Sequence, residues 1–240
     1  MAFGPIYQIY SELLNYNPKI YRRFWVLSSV HLNRLGYILM AMYEMHPGHM
    51  FCFDIQKDDN YKINNFNLFN AKYIASVKEF FPNYIPSPFD DIHISMDDEE
   101  AIYNSKNASD NIQVLSGYST KLCQILGKNG HMQFTFDFGV NWKINLTVEK
   151  IFKDKDLPGI NLPKVIEGKG FGIIEDCGGT DNLKDSAKTN KINLQSFDIE
   201  DMNYRLKKLP RIYHDLYYFN QTANKEITAF INREYSKNSK

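Results

Sequence analysis

Cysteine is scarce in this 240-residue chain: Cys52, Cys123 and Cys177 are the three, far apart and without a CxxC. A disulfide framework is therefore excluded as the basis of the fold, and a reducing, cytoplasmic setting is expected. Net charge is missing too, since Lys+Arg and Asp+Glu are both 28. A generic polyanion binder draws its affinity from many Lys/Arg–phosphate contacts, and a DNA mimic needs a strongly acidic surface; the balance favours neither. Long apolar runs are absent. The longest, around Tyr37–Met42, falls far short of the roughly 20 residues that span a bilayer, so no membrane partner is expected. The opening MAFGPIYQIY has neither the basic nor the long apolar region of a secretory leader, and none is expected.

What the chain does have is apolar and aromatic bulk. It is 43% hydrophobic, with 16 Tyr and 17 Phe, enough to build a large core and unlike a disordered chain.

Local patterns divide it. Ile6–Leu14 and Lys19–Leu27 read as two strands around Asn15-Tyr16-Asn17-Pro18, with Arg22 and Arg23 on opposite faces of the second. Leu32, Leu35, Leu39, Met42 and Met45 draw one apolar stripe along a helix, capped by Ser28 or Ser29 and ended by Pro47-Gly48. His49–Ile55 reads as the next strand. Phe66–Phe80 suggests a short helix. Prolines then break the pattern, and Asp90, Asp91, Asp97, Asp98, Glu99 and Glu100 form the one acidic patch. That patch reads as a solvated loop, or as a docking arm for a basic partner.

Ile112–Leu115 reads as a short strand and Thr120–Leu126 as a helical turn or two. The clearest signal follows. Phe134, Phe136 and Phe138 alternate with polar residues, and beyond Gly139-Val140-Asn141 so do Trp142, Ile144, Leu146 and Val148. Two such runs around a Gly/Asn turn predict a β-hairpin with one buried face. Leu157–Glu175, with its prolines and glycines, reads as extended and irregular; its Gly168–Gly172 run has neither phosphate-loop spacing. At the C-terminal end, Asp198 caps a helix striped by Ile199, Met202, Leu206 and Leu209 and closed by Pro210, with short helices beyond. Arg205, Lys207, Lys208 and Arg211 cluster there, a solvated face or an anion site. The fold class expected is α+β: a mixed or antiparallel sheet opening β-β-α-β, a central hairpin and a helical tail.

Several stretches together resemble the plasmid pRiA4b ORF-3-like family. IYQIYSELLNYNPKIYRRFWV resembles its strand, "P-x-I-W-R-R" and second strand. FTFDFGVNWKINLTVEKI resembles its "Y-D-F-G-D-x-W-x-H" hairpin, and LPKVIEGKGFGIIEDCGGTDNL its "P-x-C-x-x-G-x-x-x-C-P-P-E-D-C-G-G". FDIEDMNYRLKKL resembles its closing "F-D-x-x-x-x-N-x-x-L" helix. The resemblance implies an α+β protein of the kind carried on plasmids, transposons, phages and bacterial chromosomes. It implies residues 1–209 as the family domain, with an insertion at about 56–111, and 210–240 as a helical extension.

The family's acids, histidine and cysteines would make a metal-ligating set if close in space. This chain departs from them. Val140 replaces the hairpin acid and Ile144 the histidine, while Val165 and Gly172 fall at about the two cysteines. Asp137, Trp142 and Glu175-Asp176-Cys177-Gly178-Gly179 are kept. The kept residues suit a sharp corner, in which Gly178 or Gly179 takes a positive φ. No metal and no cofactor is expected. His46 and His49, bracketing Pro47-Gly48, read as loop residues before ligands.

Three functions compete. The first is a non-enzymatic protein-interaction module from a plasmid, transposon or prophage, in one version an inhibitor of a host defence system. It would bind another protein through the inserted segment, the acidic patch, Trp142, Arg22, Arg23 and exposed aromatics, and deleting 56–97 would abolish binding. The second is a metal-dependent hydrolase or nuclease using Asp137, Glu175, Asp176, Cys177 and a histidine such as His131 or His49. The third is a DNA-binding accessory protein using the Arg205–Arg211 cluster. Glu175 or Asp176 is the expected charge partner of whichever strand arginine is buried.

Overall fold

In the computed structural model, residues 4–55, 91–108, 112–154, 156–220 and 233–234 are described. Strands β1 (Ile6–Leu13) and β2 (Tyr21–Leu27) pair antiparallel, with Ser11 opposite Arg22. Alternation puts Ile9, Leu13, Phe24 and Val26 in the core, and Tyr21, Arg23 and Trp25 on the reverse face. Helix α1 (Leu32–Met42) follows. Its N-cap is His31, without a side-chain cap bond, so the serine cap expected from the sequence is not used.

β3 (Phe51–Ile55), β4 (Asp91–Ser95), α2 (Asp98–Asn107), β5 (Ile112–Ser116) and the short α3 (Leu122–Ile125) come next. Then β6 (His131–Phe136) and β7 (Trp142–Phe152) form the expected hairpin. The chain finishes with β8 (Lys164–Lys169), α4 (Leu183–Thr189), α5 (Ile199–Leu206) and α6 (Leu209–Asn220). One eight-stranded sheet results, in the order β5-β4-β3-β6-β7-β1-β2-β8. It is antiparallel except where β4 meets β5. The α+β architecture and its β-β-α-β opening are as the sequence implies.

The hairpin sits mid-sheet, where Phe51, Phe53, Phe134 and Phe136 form a ring cluster with centroids 5.1–6.5 Å apart. Such pairs add about 0.5–1.5 kcal/mol each beyond area burial. Helix α1 lies over this cluster. At Gly36 an added Cβ would stand 2.3 Å from the Phe51 ring, so only glycine lets helix and sheet approach this closely. The opposite side of α1 is covered by α5 and α6, with Leu209 and Tyr213 fully buried. This double cover buries nearly all of α1, where the sequence stripe suggested one buried face.

Several local expectations need correction. Asp91 to Glu100 is not a loop: Asp91 opens β4, and Asp97 N-caps α2 by accepting the Glu100 N–H. Acids in a first helical turn favour the helix dipole, which is why an acidic run can be ordered here. Asp90 and the Phe66–Phe80 helix lie outside the described residues. Deleting 56–97 would remove β4 from between β3 and β5, so that experiment would damage the sheet; a deletion confined to 56–90 spares β4.

Phe138 is in the turn and 48% exposed, not on the buried face. Part of the irregular 157–175 segment is β8, held at the sheet edge by β2 and by Asn203, whose side-chain amide exchanges two 2.8 Å bonds with the Val165 backbone. Pro210 opens α6 instead of closing α5, since a first-turn residue needs no N–H partner. Asp198 caps α5 as read, accepting the Glu200 and Asp201 N–H groups. Among the described residues no helix is long and apolar enough to cross a membrane.

Candidate functional site

Two sharp turns meet at one end of the hairpin. The β6–β7 turn is built on positive φ at Asp137 (54°) and Asn141 (68°), and the Asp137 carboxylate accepts the Gly139 N–H at 3.1 Å. Against it lies Glu175–Asn182, turned by positive φ at Asp176, Gly178 and Gly179. A Cβ at Gly179 would be in contact with Val140, which fixes how closely the two turns approach. The segment before Glu175 is docked by Ile173, whose N–H bonds the Tyr43 carbonyl at 2.9 Å beyond α1.

This docking gathers titratable groups. The Glu175 carboxylate, its side chain 3% exposed, accepts the His46 backbone N–H and stands 2.7 Å from His46 Nδ1. The same carboxylate oxygen is 3.7 Å from His49 Nε2, and His49 Nδ1 is 3.8 Å from Asp137 Oδ1. Those two spacings are too long for direct hydrogen bonds. The His49 ring is held edge-on to Phe136 at 5.6 Å and is 40% exposed. So a buried carboxylate is satisfied by the backbone N–H and the imidazole of His46, and a second imidazole sits at the surface between two carboxylates. Such an arrangement can move protons. It is not a ready metal site: among the described residues, the group with metal-ligand spacing lies elsewhere.

The other sequence candidates fall in other places. Asp176 is exposed on the corner. Cys177 is half-buried and its thiol donates to the Gly179 carbonyl at 3.4 Å. His131 bonds Thr147 at the far end of β6, about 17 Å along the strand from the turn at 3.3 Å per residue. Trp142 is 2% exposed, which removes it as a surface contact, and its indole N–H has no hydrogen-bond partner among the described residues.

Arg22 is fully buried, but its partners are neither Glu175 nor Asp176. Its five N–H donors go to the carbonyls of Met42, Tyr21, Lys169, Gly170 and Phe171 at 2.7–3.1 Å. A guanidinium has five donors, so none is left for an anion. Burial draws its pKa down to about 10. Arg23, on the reverse face, grips Glu149 with two bonds of 2.8 and 2.9 Å and also bonds Glu167. Arg205 is buried against Glu44 and Asp201, at 2.6 and 3.0 Å. Two carboxylates neutralise it, so the basic cluster read along the sequence loses one of its four members. Of the acidic patch, Asp97 is a helix cap and Glu100 accepts the Met96 N–H, while Asp98 and Glu99 are exposed.

His46 is the residue that sequence reasoning undervalued. The signal was the His46-Pro47-Gly48-His49 spacing, but its partner lies 129 residues away and no local pattern links them.

An α+β protein that presses a hairpin turn against a glycine corner is what these elements define. The chain belongs to the plasmid pRiA4b ORF-3-like protein family, whose model matches residues 5–221. Among solved structures it is similar to a Methanosarcina mazei Go1 protein of unknown function, MM3350, at 17% identity with a TM-score of 0.57. That match covers 82% of this chain and 96% of the other, and it speaks for the fold alone. None of the curated proteins compared with the chain matches it.

The departures from the family pattern take on meaning in three dimensions. Val140 packs by the corner, so an acid there would face it. Ile144 and Val165 are core residues, 0% and 1% exposed. Gly172 has no room for a side chain, since a Cβ would stand 2.5 Å from the Tyr43 carbonyl oxygen.

Proposed function

We propose that this chain is a protein-binding module whose contact surface is the end of the β6–β7 hairpin and the loop before β3. One observation carries this reading: two of the large exposed apolar side chains, Phe138 and Met50 (48% and 38% exposed), are the chain neighbours of Asp137 and the exposed His49, whose side chains approach to 3.8 Å. The Asp137 N–H bonds the Met50 carbonyl at 3.0 Å, which ties the two loops together. Asp137 and the exposed Asp176 add negative charge. The partner that fits is a protein offering apolar and basic side chains. On a plasmid, transposon or prophage, such a module acts by occupying a host protein, and one version is an inhibitor of a defence system.

The test is capture from the native host by the immobilised full chain, compared with a Met50→Ala/Phe138→Ala variant and with Asp137→Lys. A stoichiometric partner should bind at least about 10-fold more weakly to both variants, as expected for contacts central to an interface, while circular dichroism shows both variants folded. Equal capture by wild type and variants would overturn the reading.

The Glu175–His46 pair favours a second reading, a hydrolase or nuclease with His49 as the surface acid–base. Glu175→Gln keeps the shape of the side chain and removes its charge. Hydrolysis of ester or phosphodiester substrates by the wild type, lost by about 100-fold or more in this variant, selects the second reading; equal rates reject it.

A further inference from the structure

Away from the corner, on the reverse face of the sheet, β3 and β4 bring three donor types together. Phe51, Phe53 and Ile55 of β3 point into the core, so Cys52 and Asp54 share the other face. Asp54 is paired directly with His93 of β4. The Cys52 thiol is 3.5 Å from Asp54 Oδ2, and Asp54 Oδ1 is 2.7 Å from His93 Nδ1. One sulfur, one oxygen and one nitrogen donor from the three residues all lie within 4.8 Å of one another.

The surroundings are organised about these groups. Asn104 of α2 approaches the other ring nitrogen of His93 at 3.3 Å and donates to Ser95 Oγ at 3.0 Å, which holds the imidazole plane. Thr135, opposite Cys52 on β6, bonds the thiol. Asp54 raises the His93 pKa by its hydrogen bond. Burial, then the Asp54 charge, pushes the Cys52 thiol well up, and Glu100 adds to the negative field on both groups. A buried thiol beside carboxylates is unsuited to being a nucleophile, but a cation placed among them reverses that penalty. A cavity of about 260 Å³ borders Asp54, His93 and Asn104.

We propose that Cys52, Asp54 and His93 bind a Zn²⁺ ion, with the remaining coordination position open to the adjoining cavity. Sulfur, imidazole and carboxylate donors are zinc's preferred set, and three protein ligands with one exchangeable position are the arrangement of reactive zinc sites. Binding releases the Cys52 thiol proton and opens the Asp54–His93 hydrogen bond, because ligands at about 2.0–2.3 Å from the metal stand more than 3 Å from each other. With Nδ1 on the metal the ring proton moves to Nε2, so the Asn104 amide turns its oxygen toward the ring to accept it and becomes the outer partner that fixes the imidazole.

The experiment uses the full chain, freed of metal by chelator dialysis and titrated with Zn²⁺ and with Co²⁺. One Zn²⁺ per chain should bind and raise the melting temperature, and Co²⁺ should give a thiolate-to-cobalt charge-transfer band. Cys52→Ser should abolish that band and His93→Ala the stoichiometric binding. Asn104→Ala should weaken binding about 10–100-fold. Cys177→Ser should keep band and affinity, which separates this thiol from the one at the corner. Circular dichroism of the metal-free variants guards against misfolding. The proposal is overturned if wild type binds no Zn²⁺, or if folded Cys52→Ser and His93→Ala bind it as tightly as wild type.

Discussion

Arg22→Met should cost more than about 4 kcal/mol, a large share of the roughly 5–15 kcal/mol that a domain has. The reason is the set of carbonyls that Arg22 satisfies. It joins the end of α1 through Met42 to the end of β8 and beyond, through Lys169, Gly170 and Phe171. Its guanidinium lies 4.2 Å from the Phe197 ring centroid and 5.2 Å from that of Tyr43. Methionine fills similar volume but leaves buried carbonyl oxygens unpaired, at about 1–3 kcal/mol each. Arg22→Lys keeps the charge with three donors and should fall between. Urea denaturation of the three proteins is the measurement. A loss below about 1 kcal/mol for Arg22→Met would refute the account.

Gly172→Ala is expected to be nearly as damaging, at about 3 kcal/mol or more. At φ 139° the backbone already disfavours a side chain, and the added Cβ would meet the Tyr43 carbonyl oxygen at 2.5 Å and its carbon at 2.7 Å. Neither is the end of a flexible side chain, so the segment that carries Gly172 must move. The Ile173–Tyr43 bond would break, and Glu175 would withdraw from His46. A fall in melting temperature of about 6–12 °C is the readout. A shift below about 2 °C would mean that the docking is soft.

How far the sequence carries depends on the range of the interaction. The hairpin was legible because Phe134, Phe136, Ile144 and Leu146 repeat at the period of a half-buried strand. Asp198 was legible because capping is decided within three residues. Asp97 obeys the same rule but was hidden among neighbouring acids. β8 was obscured by its glycines and edge position. The candidate site was half legible. Glu175 and Asp137 lay in the motifs shared with the family, whereas their meeting with His46 and His49 depends on the approach of β3, the hairpin and the corner. Nothing along the chain encodes the pairing of β3 with β4 either, so Cys52 and His93 look unrelated until the sheet is built.

At the outer edge of β8, the Asn203 side chain does what a neighbouring peptide unit would do, giving a donor and an acceptor to Val165. It is in effect a one-residue imitation strand. An intruding chain that sought to extend the sheet there would first have to evict this amide and find α5 in its path. The molecule thereby carries its own stopper against runaway edge-to-edge polymerisation at that border.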